Sequence, residues 1–211
     1  TISTFHSLGL RFLQIEHERA KLRRGFSIFD GDDQMAIIKD LATPGLKNDA
    51  LYSIQNLISA AKNNALSPEQ AAEAARSGRE REAAGIYARY QARLQAYNAV
   101  DFDDLIRLPL TLLEADADLA AGWRERLRYL LVDECQDTNG AQYRLLKQLA
   151  GLKGNMTCVG DDDQSIYAWR GAQPENLDQL ATDYPNLKVV KLEQNYRCTA
   201  RILRCANTLI E

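Results

Sequence analysis

Residues 130–142 read LLVDECQDTNGAQ, an apolar run ending in three acids within five positions, Asp133, Glu134 and Asp137, just before a stretch with helical spacing. Taken with Tyr129, the run YLLVD (129–133) is short and apolar with a β-branched residue, the signature of a buried strand. Solvation or helix capping explains one or two of the acids. The alternative is chemistry, with Asp133 and Glu134 held rigidly at the strand tip. Neighbouring residues on an extended chain point opposite ways, so one carboxylate can face a Mg²⁺ ion while the other faces a water. Asp137 or Thr138 then reads as the N-cap of the next helix.

Downstream, the pattern repeats. MTCVG (156–160) and LKVVKL (187–192) are two more short β-type runs, and helical segments at about 139–150 and 174–183 separate the three. Strand, helix, strand, helix, strand predicts an α/β fold with a parallel sheet, which gathers ligands at the carboxyl ends of its strands.

Upstream, from about residue 5 to 126, the spacing is helical. Leu8, Phe12 and Ile15 share a face, Asp30 is placed to cap a helix carrying Met35, Ile38 and Leu41, and Leu51, Ile54, Leu57, Ile58 and Ala61 form another stripe. Ser67-Pro68-Glu69-Gln70 has the form of a capping box with proline at the first helical position. Ile86, Tyr90, Leu94 and Tyr97 read as core rather than as a binding stripe. Arg79, Arg81, Arg89 and Arg93 read as a solvated face, with phosphate contact as the alternative.

Composition narrows the class. A chain of 211 residues with 45% hydrophobic and 26% charged residues and 5 prolines is long enough for a substantial core and carries no disordered or collagen-like bias. The net charge of −3 excludes a globally basic nucleic-acid footprint but leaves local patches such as Arg19, Lys21, Arg23 and Arg24. Cys135, Cys158, Cys198 and Cys205 have neither metal-site spacing nor a disulfide pattern, so reduced thiols and a cytoplasmic location are expected. No apolar stretch approaches the roughly 20 residues of a membrane span, and no membrane partner is expected. The opening TIST (1–4) looks β-like and suggests a segment preceding Thr1.

The second strand end, VGDDDQSIYAWRGA (159–172), crowds three acids against Gln164, with Tyr167, Trp169 and Arg170 close behind. Side-by-side like charges are costly, which argues for a function or for partners in the fold. Tyr167 and Trp169 either stack on unpaired bases or plug the core beneath the loop. The third, LEQNYRC (192–198), puts Arg197 where it could stabilise a transferred phosphoryl group or pair with the acids. Three neighbouring tips of this kind favour phosphoryl transfer. A metal nuclease built on Asp161, Asp162 and Asp163 would lack a nearby His or Lys.

These residues also carry a family resemblance. LLVDECQDTN resembles helicase motif II (Walker B) of the UvrD-like superfamily 1 DNA helicases, VGDDDQSIYAWRGA resembles motif III and LEQNYR motif IV, while STFHSLG (3–9) and DFDDLI (101–106) resemble two further segments. The resemblance implies a partial RecA-like parallel sheet, the C-terminal part of motor subdomain 1A, with an inserted all-helical subdomain 1B. Residues 1–11 and 98–211 would belong to 1A and residues 12–97 to 1B. It implies an ATP-dependent 3′–5′ helicase acting on single-stranded DNA and on forks or tailed duplexes, with replication or repair accessory proteins as partners. Residue by residue, it implies that Asp133 binds Mg²⁺, Glu134 activates the attacking water, Gln164 senses the γ-phosphate of ATP, Tyr196 stacks on adenine and Arg197 contacts the γ-phosphate. Tyr167 and Trp169 would lie along single-stranded DNA, with Thr4 and His6 contacting the strand nearby. Cys135 stands where many members have Tyr. The 211 residues contain no Gly-Lys dipeptide, so the phosphate-cradling G-x-x-x-x-G-K-[ST] loop is not among them. On the resemblance the chain is expected to be a fragment, inactive alone as an ATPase. A non-catalytic single-strand-binding or protein-interaction module with a motor-like fold is the rival reading.

Overall fold

Helix starts in this chain are written in its capping residues. The structure, a computed structural model, describes residues 2–168 and 171–210. Residues 2–4 form no strand; instead Thr4 caps α1 (Phe5–Ile15) by accepting from the Ser7 N–H at 3.2 Å, which satisfies a donor the helix leaves unpaired. After β1 (Ser27–Phe29), Asp30 caps α2 (Gly31–Leu41) in a reciprocal box with Asp33. Then follow α3 (Asn48–Asn63), α4 (Pro68–Ala74), started by the expected Ser67–Gln70 box, and α5 (Gly78–Ala96). The chain continues through β2 (Ala99–Asp101), α6 (Asp104–Ala115), α7 (Ala117–Arg126), β3 (Leu130–Val132), α8 (Gly140–Ala150), β4 (Met156–Cys158), α9 (Glu175–Asp183) and α10 (Ala200–Ile210).

The fold is mixed helix and strand, with strands that are short and parallel. Among the described residues they pair two by two. β1 lies beside β2, with Ser27 opposite Ala99, and β3 beside β4, with Val132 opposite Cys158. The region 5–126 is therefore not helical throughout. A second correction concerns LKVVKL: residues 187–192 form no strand, and Val189 and Val190 stand 72% and 67% exposed. An extended segment needs a neighbour for its N–H and C=O groups, and β-branched composition alone does not provide one. The sheet expected to have three strands thus has its first two side by side and not the third. A third correction is the cap of α8, which is Asn139 in a box with Gln142; Asp137 ends a 3-10 turn (Cys135–Asp137) instead.

Three apolar clusters organise the packing. Ile38, Leu51, Ile54, Ile58, Ile86, Tyr90 and Leu94 close a helical body from α2, α3 and α5. Tyr97, expected beside them, is 54% exposed just past the end of α5. A second cluster joins Phe12 and Leu13 of α1 to Leu105, Leu110 and Leu113 of α6, Trp123 of α7 and Leu145 of α8. The third sets Val132, Cys135, Tyr143, Leu146 and Leu180 around β3. Pro109 lies inside α6 and has no N–H to offer the Leu105 carbonyl one turn back. At that carbonyl α1 crosses with Gly9, where a Cβ would fall 1.7 Å from the Leu105 oxygen, so only glycine permits the approach. No described helix is long and apolar enough to cross a membrane.

The helical body meets the rest of the chain at a buried ionic joint. Lys62 on α3 reaches Asp101 Oδ2 at 2.5 Å and Asp104 Oδ2 at 3.0 Å, with both carboxylates and the ammonium almost wholly enclosed. Tyr90 Oη donates to Asp101 at 2.8 Å, and Arg107 approaches Asp104 at 3.1 Å. Burial alone would lift the Asp104 carboxyl, but Lys62 and Arg107 outweigh it and hold the group below its ordinary value.

Candidate functional site

Parallel pairing of β3 and β4 puts two acid-bearing tips side by side. The Val159 N–H donates to the Val132 carbonyl at 2.8 Å, and the Cys135 N–H returns a bond to the Val159 carbonyl at 2.9 Å, so the ladder continues past both strands into the loops. Cys135 is fully buried and its thiol accepts a hydrogen bond from Cys158 of β4, which lowers its pKa. With the neighbouring loop tied down in this way, the chain turns sharply at Glu134, whose φ of 51° is left-handed, a conformation a non-glycine residue rarely adopts. Asp133 and Glu134 both face solvent.

Gln136 is the connector that sequence reasoning missed. It is 1% exposed and uses both ends of its amide: Nε2 donates to Glu134 Oε2 at 2.7 Å, and Oε1 accepts from the Asp161 N–H at 3.2 Å. A Cβ at Gly160 would come within 2.8 Å of that Gln136 oxygen, so the second tip approaches where no side chain stands. The available signal was an amide among acids two positions beyond Glu134, able to donate to one tip and accept from the other.

The second tip brings Gln164 into the same web. Gln164 Nε2 donates to Asp161 Oδ2 at 2.6 Å, and the Asp163 N–H donates to Asp161 Oδ1. Carboxylate atoms of Asp161, Asp162 and Asp163 lie within 4.8 Å of one another on the surface. Tyr167 is 38% exposed rather than plugging the core. Trp169 and Arg170 lie outside the described residues.

The remaining expected residues stand apart from this web. Tyr196 is 92% exposed and Arg197 is exposed; the Arg197 N–H is held by Asn195 Oδ1 at 2.9 Å, and its guanidinium meets no acid among the described residues. Thr4 is occupied in capping α1. His6, half-buried with its ring edge toward Phe102 at 6.2 Å, has its pKa lowered by burial.

The first tip offers carboxylate oxygens throughout, the donors that Mg²⁺ takes. Asp133 Oδ1 accepts from the Glu134 N–H, and Asp137 Oδ1 is buried without a hydrogen-bond partner. Burial and the nearby Glu134 charge raise the Asp137 pKa, which a bound cation would reverse. The tip thus carries oxygen donors of the type Mg²⁺ takes, although among the described residues the only three acids whose carboxylates gather within 4.8 Å are Asp161, Asp162 and Asp163 of the second tip.

Comparison with known proteins gives one consistent result. A family model described as the UvrD/REP helicase N-terminal domain matches residues 1–185. The chain is 50% identical over 212 residues to the ATP-dependent DNA helicase Rep of Escherichia coli (strain K12), an alignment covering 99% of this chain and 31% of that protein. It is 47% identical to Rep of Buchnera aphidicola subsp. Schizaphis graminum (99% of this chain, 32% of that one) and 42% identical to PcrA of Bacillus subtilis (strain 168) (100% and 29%). The chain thus spans about a third of the length of the curated relatives it matches.

Proposed function

This chain belongs to the UvrD/REP helicase family, and from that premise we propose that it supplies motor machinery to an ATP-dependent DNA helicase moving 3′ to 5′ along single-stranded DNA. The observation that carries the proposal is the pairing of two strand tips whose acids are bridged through Gln136. On this reading residues 1–11 and 98–211 form motor subdomain 1A, and residues 12–97 form the inserted helical subdomain 1B.

Asp133 would hold Mg²⁺, which when bound neutralises charge on the phosphates of ATP. Glu134, exposed and oriented by Gln136, would position a water and take its proton as general base. Gln164, on the adjoining tip, would report the γ-phosphate to the loop that follows. Arg197 would stabilise charge on that phosphate and Tyr196 would stack on adenine, both from a segment that lies open in this structure. Thr4, His6, Tyr167 and Trp169 would line the path of single-stranded DNA. Forks or tailed duplexes are the proposed substrates, replication or repair proteins the proposed accessory partners, and the cytoplasm the proposed location.

Anisotropy of a labelled oligo(dT) titrated with the chain tests the DNA path. Trp169→Ala is expected to weaken binding by the worth of one stacked base, about 1–3 kcal/mol or roughly 5- to 160-fold, while Glu134→Gln leaves it unchanged. Equal affinity in the wild type and Trp169→Ala would remove that path. With no Gly-Lys dipeptide, the 211 residues are expected not to turn over ATP alone. Turnover that Glu134→Gln abolishes would overturn this expectation.

A further inference from the structure

Three consecutive residues at the end of α3 each hold a different part of the strand-bearing body. Lys62 is enclosed between Asp101 and Asp104. Asn63 Oδ1 accepts from Asn139 Nδ2 at 2.8 Å, and Asn64 Oδ1 accepts from Gln173 Nε2 at 3.4 Å. Asn139 caps α8 immediately after the Glu134 tip, and Gln173 lies just beyond the loop that carries Tyr167. The two anchor points are themselves joined, since the Gln173 N–H donates to the Thr138 carbonyl at 3.0 Å and Asn176 Nδ2 donates to the same oxygen at 2.9 Å. From there Thr138 Oγ1 donates to the Cys135 carbonyl at 2.7 Å, and the adjoining Gln136 holds Glu134. Hydrogen bonds and chain neighbours thus run without a break from Asn63 to the Glu134 carboxylate.

We propose that Lys62, Asn63 and Asn64 are positioning residues that couple the orientation of the helical body to the placement of the Glu134 tip and of the loop carrying Tyr167. Three separate attachments at one helix end fix both its position and its direction. The buried charges of Lys62, Asp101 and Asp104 cannot slip without leaving one of them uncompensated in a dry interior. The other end of the same helix is packed in the helical core through Leu51, Ile54 and Ile58. α3 has 16 residues, so it acts as a lever about 24 Å long. A tilt of the helical body is then felt at both tips through packed, bonded neighbours, the kind of contiguous network that carries coupling. The consequence for a motor rests on the helicase reading above; the mechanical coupling does not.

Amide hydrogen exchange of the 211-residue chain, read by mass spectrometry, tests the coupling. Asn63→Ala removes the acceptor, and Asn139→Ser removes the amide that reaches it, leaving only a shorter hydroxyl and keeping an N-cap for α8. Both are expected to speed exchange about three- to tenfold at the amides of Cys135, Thr138 and Gln173, the change that one net hydrogen bond makes, with the amides of Ile58 and Tyr87 in the helical core unaffected. Asn63→Asp, which keeps the acceptor oxygen, is expected to restore wild-type exchange. Unchanged exchange at the three reporters, or a uniform rise that includes Ile58 and Tyr87, would overturn the coupling and leave only a structural contact. Neither result depends on whether the chain binds nucleotide or DNA.

Discussion

Two groups of acids in this chain have opposite surroundings. Asp101 and Asp104 are 1% exposed and are met by Lys62, Arg107 and the Tyr90 hydroxyl. Asp133, Glu134, Asp161, Asp162 and Asp163 are exposed, and among the described residues no cation pairs with them; only neutral amides touch Asp133, Glu134 and Asp161. Enclosed acids without a counter-charge cost several kcal/mol or must be neutralised by a proton, and here the fold supplies the charge itself. Exposed acids cost little to leave unpaired, and that leaves them available to a cation or a water from outside. The difference separates the carboxylates that hold the two bodies together from those left open to solvent.

Removing the internal counter-charge tests the first half of this contrast and should have the largest effect. Lys62→Met leaves Asp101 and Asp104 facing each other in a dry joint and is expected to cost about 3–5 kcal/mol, measured by urea unfolding. Adding Asp101→Asn to Lys62→Met should recover part of that loss, because Asn can still accept from the Tyr90 hydroxyl while Arg107 keeps Asp104 compensated. Additive losses in the double variant would mean that the charges at the joint do not depend on each other.

That joint was also the part of the molecule least legible in the sequence. Nothing in SAAKNN marks Lys62 as buried, and the acids that compensate it, Asp101 and Asp104, stand about 40 positions away. The three-residue strands β1 and β2 escaped for the same reason, being brought together from 72 positions apart, Ser27 opposite Ala99. Local signals fared better where local physics decides: the Asp30 and Ser67 boxes start the helices they were expected to start, and YLLVD and MTCVG pair as parallel strands. LKVVKL carries β-branched residues as those runs do, but strand formation needs a partner that composition does not specify. At the candidate site the exposed acids were legible because an apolar run ends in them. Gln136 was not, since its role appears only once the second tip is beside the first.

Beside the enclosed pair lies Asp103, half-buried at the start of α6, whose pKa burial and the Asp101 charge together raise from 3.8 to about 6. A raised folded-state value means that the native chain holds this proton more tightly than the unfolded one. The contribution is complete below 3.8 and is lost as pH rises through about 6. Asp103→Asn mimics the protonated form, so the variant should match the wild type near pH 3.5 and exceed it at pH 7, on the order of 1 kcal/mol once partial exposure is allowed for. Taking the difference between the two urea-unfolding series cancels the titration of other groups. A variant that is less stable than the wild type at pH 7 would show that the Ser59 hydrogen bond and the Lys62 charge outweigh burial at Asp103.

The smallest effect belongs to the exposed tips. Glu134→Gln keeps the acceptor oxygen that Gln136 Nε2 uses, and Asp162→Asn relieves repulsion within a surface cluster. Surface substitutions of this kind shift stability by no more than about 0.5 kcal/mol, and the Asp162 change should fall on the stabilising side. Thermal unfolding with and without millimolar Mg²⁺ adds the sharper comparison. An acid pair that accepts a cation gains stability from it, and Asp133→Asn should remove that gain while leaving the metal-free transition in place. Loss of several kcal/mol in Glu134→Gln without metal would mean that the tip carboxylates bear on the fold as Asp101 and Asp104 do. The division between acids enclosed for structure and acids left open to solvent would then fail at its second term.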